Sequence, residues 1–169
     1  MKALTRRGRT RGLLADNLSK AASTAISTAE LYAEDVHSGR LERSLSALSA
    51  AGAVVTCLEI WTEHDRASFG NRMMWWPVAI MPTAIPAGIA AVFSKRAAKT
   101  VLPAASLAIV LNGLQGTYLH WRGIAQKPGG WALASYNVEM GPPVFAPLLA
   151  SLVGGMGLLA AVLRREDRA

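Results

Sequence analysis

The chain has 169 residues, a net charge of +7, half of its residues hydrophobic and a single cysteine. That length holds one domain, and Cys57 alone excludes an intramolecular disulfide and a CxxC redox pair. The charge invites a nucleic-acid reading, but the basic residues sit where membrane topology alone would put them, so no nucleic-acid partner is expected.

Four apolar stretches, Leu45 to Trp61, Trp75 to Phe93, Val101 to Trp121 and Val144 to Leu163, each have about the 20 residues that cross a hydrocarbon layer. The expected fold is therefore an all-α integral membrane protein, a four-helix transmembrane bundle built from two tandem hairpins. Residues 44–99 form repeat one, 100–169 form repeat two, and residues 1–43 precede them as a cytoplasmic basic arm and amphipathic helix. Fourteen Lys and Arg residues lie before the first span, between the second and third, and after the fourth; Arg66, Arg72, Arg122 and Lys127 lie in the other two connections. This asymmetry predicts a multi-pass protein with both termini in the cytoplasm, of a size that suits a bacterial plasma membrane. No cleavable signal peptide is expected, because Arg6-Arg7 leads into polar sequence.

In chain order, residues 1 to 12 are basic and lack apolar periodicity, and are expected to form a flexible arm near anionic lipid. From Leu13 to Val36, apolar residues such as Leu18, Ala22, Ala25, Ala29 and Tyr32 recur at spacings of three and four. They predict an amphipathic helix that lies on the membrane surface or docks on a partner, with a frayed linker helix as the plain alternative. The first span is rich in Ala, Ser and Gly, which permit close helix approach. Glu59 and Glu63 share one of its faces. Glu59 reads as a ligand or proton-handling group, as an interhelical hydrogen-bond partner, or as a side chain snorkelling to the interface. Pro82 and Pro86 are expected to break the second span. The third span carries Asn112 and Gln115 within the membrane, and Gly113, Gly116 and His120 on one face. The connection from Gly123 to Gly141 is long enough to cap the outer surface.

A duplication is legible at the span ends. Leu58-Glu59-Ile60-Trp61-Thr62-Glu63-His64-Asp65-Arg66 and Leu114-Gln115-Gly116-Thr117-Tyr118-Leu119-His120-Trp121-Arg122 share a frame of Leu, Glu or Gln, His and Arg. A second signature follows each: Asn71, Met74, Pro77 and Val78, then Asn137, Met140, Pro143 and Val144. In this register His64 and His120 come to matching depth, joined by Arg66 and Arg122, as a polar cluster at the outer membrane boundary. The cluster admits three sites. Two histidines can hold a haem b, with Gly113 and Gly116 giving the porphyrin room and the arginines meeting its propionates. His64 and His120 with Met74 and Met140 form a soft set suited to copper. His or Arg on a ring carbonyl, against Trp walls, suits a quinone. A purely structural role, with the arginines on lipid phosphate, competes with all three.

No nucleotide-binding loop, HExxH or serine-hydrolase elbow is present, so no self-contained enzyme is expected. The preferred function is a small membrane subunit that anchors or completes a larger, redox-linked complex, in contact with the lipid bilayer and with other subunits or copies of itself. The rival from another class is a small transporter or channel with a path past Glu59 and Gln115.

Overall fold

The computed structural model describes the backbone of residues 2–163 and the side chains of 16–34 and 38–163; the basic Arg164 to Arg168 segment lies outside them. Among the described residues the chain is all-helical. The main helices are α1 (Lys2–Ser38), α2 (Arg40–Arg66), α3 (Trp75–Ile80), α4 (Ala84–Phe93), α5 (Lys95–Lys99), α6 (Val101–Ala125), α7 (Ala134–Glu139) and α8 (Ala146–Leu163). Four segments are long and apolar enough to cross a membrane: 40–66, 72–93, 95–125 and 146–163.

The amino-terminal arm departs from expectation. Helix α1 begins at Lys2 and runs unbroken through the segment expected to be flexible. Arg, Lys, Leu and Ala are good helix formers and no proline intervenes, so charge without apolar periodicity did not prevent a helix. Gly39 ends it with φ 73° and ψ 8°, a left-handed conformation that glycine adopts without penalty.

The second span breaks where its prolines predict. A 3-10 turn over Met81–Thr83 separates α3 from α4, because Pro82 and Pro86 cannot donate to the helical ladder. Pro77 sits in the first turn of α3, where no donor is lost. At the opposite end of the bundle, Ser94 caps α5 by accepting from the Ala97 N–H at 3.3 Å.

The spans pack in a ring: α2 touches α4 and α8, and α6 touches α8, α3 and α4. Small residues set the spacing. A Cβ added to Gly88 would stand 2.7 Å from the Ser46 carbonyl oxygen and 3.1 Å from the Ala50 amide; at Gly154 the same two distances, 2.7 and 3.1 Å, run to Ser106 and Val110. Backbones therefore meet where side chains would otherwise intervene. Two hydroxyls tie the helices together: Ser49 donates to the Val153 carbonyl at 3.0 Å and Ser151 to the Val110 carbonyl at 3.3 Å. Lys99 donates at 2.6 Å to the Ala161 carbonyl, which ties the start of the third span to α8.

These contacts define a register between the two hairpins. In the second helices, Ala84, Ala87, Gly88 and Ala91 are buried as Ala150, Val153, Gly154 and Gly157 are, in step with Asn71 and Asn137. In the first helices, Glu42, Ser46, Ser49 and Ala53 correspond to Leu102, Ser106, Ile109 and Gly113. That places His120 level with Ile60, and His64 level with Ile124. The His–His frame read from sequence is thus displaced by one helical turn from the packing register.

Glu42 is fully buried and, among the described residues, neither carboxylate oxygen has a hydrogen-bond partner; its counterpart Leu102 is buried among apolar residues.

Four stability outcomes follow, each read by thermal unfolding in detergent. Gly154→Ala should destabilise by about 1 to 3 kcal/mol through overpacking. Gly155→Ala meets nothing within 4 Å and should be neutral or slightly stabilising, since alanine is the better helix former. Glu42→Leu should raise the unfolding temperature, because a buried polar group without a partner costs about 1 to 3 kcal/mol. Glu42→Gln retains buried polar atoms and should not.

Candidate functional site

At the end bearing His64 and His120 the bundle opens into a cavity of about 570 Å³. Thr56, Glu59, Ile60, Glu63 and His64 line it from α2, and Asn71, Met73, Met74 and Pro77 from the second span. Helix α6 contributes Asn112, Gly113, Gln115, Gly116, Leu119, His120 and Arg122, and Gln126 follows it. Pro142, Pro143, Ala146, Pro147 and Ala150 complete the wall at the start of α8. Beneath it, Ala53, Met81, Ala84, Ile109, Ala150 and Val153 pack as an apolar cluster. The cavity therefore has a closed apolar floor and a mixed polar rim.

Both imidazoles are oriented by backbone carbonyls. His64 Nδ1 lies 2.7 Å from the Ile60 oxygen and His120 Nδ1 lies 2.7 Å from the Pro143 oxygen. A carbonyl oxygen only accepts, so Nδ1 carries the proton in each ring, and in the neutral ring Nε2 keeps its lone pair. The Pro143 carbonyl is open to this bond because Pro147, four residues on, has no N–H to offer it; the Ala146 amide takes another of its directions at 3.3 Å. The residues that irregularise the start of α8 thus also orient His120.

An aromatic group backs His64. Phe69 stacks on Trp75 with centroids 4.2 Å apart, Trp61 meets Phe69 edge-on at 5.5 Å, and the His64 ring lies parallel to Phe69 at 6.3 Å. Ser68 and Phe69 hold left-handed backbone angles, φ 53° and 47°, uncommon for residues with side chains. The turn delivers Phe69 back onto the helix end.

Of the residues singled out from sequence, His64, His120, Glu59, Gln115, Asn112, Arg122 and Met74 come together on one cavity. Arg66 and Met140 do not. The Arg66 guanidinium bonds Glu63 Oε1 at 2.8 Å with its side chain 77% exposed, so Glu63, not a ligand, is its partner. Met140 is 61% exposed and lies outside the lining. The copper set His64, His120, Met74 and Met140 is therefore not assembled, and among the described residues no three His, Cys, Asp or Glu side chains group as a metal site.

The glycine face of α6 also has a different use from the one expected. A Cβ at Gly113 would strike Ser151 and Pro147, and one at Gly116 would lie 3.0 Å from Pro147 Cβ. These glycines admit α8 and leave no slot for a porphyrin above them. The paired asparagines also diverge: Asn71 Oδ1 accepts from the Met73 amide at 2.9 Å. Asn137 is buried, its Nδ2 donating to Pro128 and Gly130 carbonyls at 3.0 and 2.8 Å, which braces the long connection.

Thr56 and Gln126 were missed as cavity residues. Each lies about one turn from a singled-out residue, Glu59 and Arg122, and helical periodicity alone carried that signal. No family model matches this chain, and neither curated proteins nor solved structures provide a match.

Proposed function

We propose that the chain is a multi-pass integral membrane subunit of two helical hairpins, and that its cavity binds an amphipathic ring of the quinone or quinol class within a larger redox-linked assembly. Both termini are cytoplasmic in this reading and the cavity faces the other side, as the distribution of Lys and Arg favours.

The carrying observation is the pairing of two carbonyl-oriented imidazoles in one cavity of about 570 Å³, within the range of small-molecule sites. An Nε2 lone pair accepts from a quinol hydroxyl, and a protonated ring donates to a quinone carbonyl. Asn112, Gln115 and Gln126 offer further polar contacts on the same wall, while Ile60, Leu119, Met73 and the prolines suit a substituted ring and the start of its apolar tail. Haem is less well served, since Gly113 and Gly116 are occupied by α8. A through-path is disfavoured by the packed floor.

Binding is tested in lipid nanodiscs by titrating a short-tailed ubiquinone analogue against tryptophan emission, to which Trp61 and Trp75 near the cavity contribute. Saturable quenching is expected, with affinity falling at least about tenfold, ~1.4 kcal/mol, in a His64→Ala, His120→Ala double variant. Identical quenching in both proteins would remove the quinone reading. Orientation is tested separately in a Cys57→Ser background with a membrane-impermeant thiol reagent on sealed cells. Gln126→Cys should react directly and Lys95→Cys only after permeabilisation.

A further inference from the structure

From residue 16 to 34, helix α1 carries an amphipathic surface that faces outward. Every described side chain from residue 16 to 34 is exposed, including Leu18, Ile26 and Tyr32 at 68, 61 and 59%. Leu18, Ala22, Ala25, Ala29 and Tyr32 nevertheless fall on one side, within an apolar arc of about 80° at 3.6 residues per turn. Asp16, Ser23, Ser27, Glu30 and Glu34 fall opposite.

The charges are segregated along the axis. The first third of α1 holds Lys2, Arg6, Arg7, Arg9 and Arg11 with no acidic residue; the last third holds Glu30, Glu34 and Asp35 with no Lys or Arg. A parallel pair of such helices would set like charges side by side, whereas an antiparallel pair, related by a twofold axis across its middle, sets basic against acidic at both ends. The apolar face suits the same arrangement, because Ala22, Ala25 and Ala29 permit close approach between two helices but bury little area in lipid. An anionic surface is a poor match for this stretch: from Leu13 to Val36 there are four carboxylates and one lysine.

We propose that α1 docks antiparallel on the α1 of a second copy of this chain, forming a dimer through a helix about 55 Å long. Because α1 joins its bundle through Gly39 at its carboxyl end, antiparallel pairing sets the two bundles at opposite ends of the paired helices. This reading is independent of the cavity and its ligand.

The test is disulfide trapping of the full chain in detergent, with Cys57→Ser as background and a mild oxidant. The centre of an antiparallel overlap lies near Leu18. Leu18→Cys should therefore link to its own copy, while Tyr32→Cys, near one end, should not. Reversing Arg6, Arg7, Arg9 and Arg11 to Glu should cut linkage through Leu18→Cys at least fivefold. Mixing that chain with one carrying Leu18→Cys together with Glu30→Lys, Glu34→Lys and Asp35→Lys should restore it. Equal linkage at both cysteines would overturn the antiparallel pairing. Linkage at neither would overturn the dimer; protection of α1 from protease only with phosphatidylserine-containing vesicles would then assign the face to lipid, and no protection would leave it free. Residues 18 and 32 are exposed in the single chain, so the cysteine variants should leave the bundle folded.

Discussion

The close approach of helix backbones at Gly88 and Gly154 is the constraint on which the rest of the bundle depends. At both positions a neighbouring carbonyl oxygen occupies the space a side chain would need. In a lipid setting there is little hydrophobic gain in bringing two apolar helices together, so contact area and hydrogen bonds must supply the association. Ser49 and Ser151 add such bonds to partner carbonyls, and the same small residues make those carbonyls reachable. Bulk at Gly88 would push α4 off α2, and bulk at Gly154 would separate α8 from α6 and stretch the Ser151 bond with them.

The cavity arises where this tight packing gives way. Toward the basic end, Ala87, Ala91, Ala98, Leu102 and Ala160 fill the space between helices. Toward the histidine end, Pro82 interrupts the second span and α8 begins only at Ala146, after Pro142 and Pro143. Prolines lack donors and hold the chain off the regular ladder, so the wall there is irregular. One of the carbonyls left accessible takes the His120 ring as its partner. Backbone irregularity and imidazole orientation are thus one feature.

Polar groups within the spans are used unequally. Ser49 and Ser151 are satisfied by carbonyls across helix contacts, whereas the Ser106 hydroxyl at the α6–α8 contact has no partner among the described residues; Asn137 braces a connection and Arg66 serves Glu63. Glu42 is also buried with oxygens unpartnered among the described residues, where the other hairpin places Leu102. The hairpins therefore share packing positions while differing in chemistry, and the cavity draws the carboxylates Glu59 and Glu63 from α2 but the amides Asn112 and Gln115 from α6.

Length and hydropathy alone determined the number of candidate spans, and the prolines determined which of them breaks, because both follow from local chemistry. The helical repeat also placed Glu59 with Glu63, and Gly113 with Gly116 and His120, on common faces. What the sequence could not supply was the register between hairpins. A slip of one turn leaves the same residues on the same face, so only the meeting of Gly88 with Ser46 and of Gly154 with Ser106 distinguished the pairing of His64 with Ile124 from its pairing with His120. The fates of Arg66 and Met140 were likewise hidden, since a motif fixes spacing along the chain while the direction of a side chain at a helix end depends on what packs beside it. Whether Gly113 and Gly116 leave a space or receive a helix was settled only when α8 was in place.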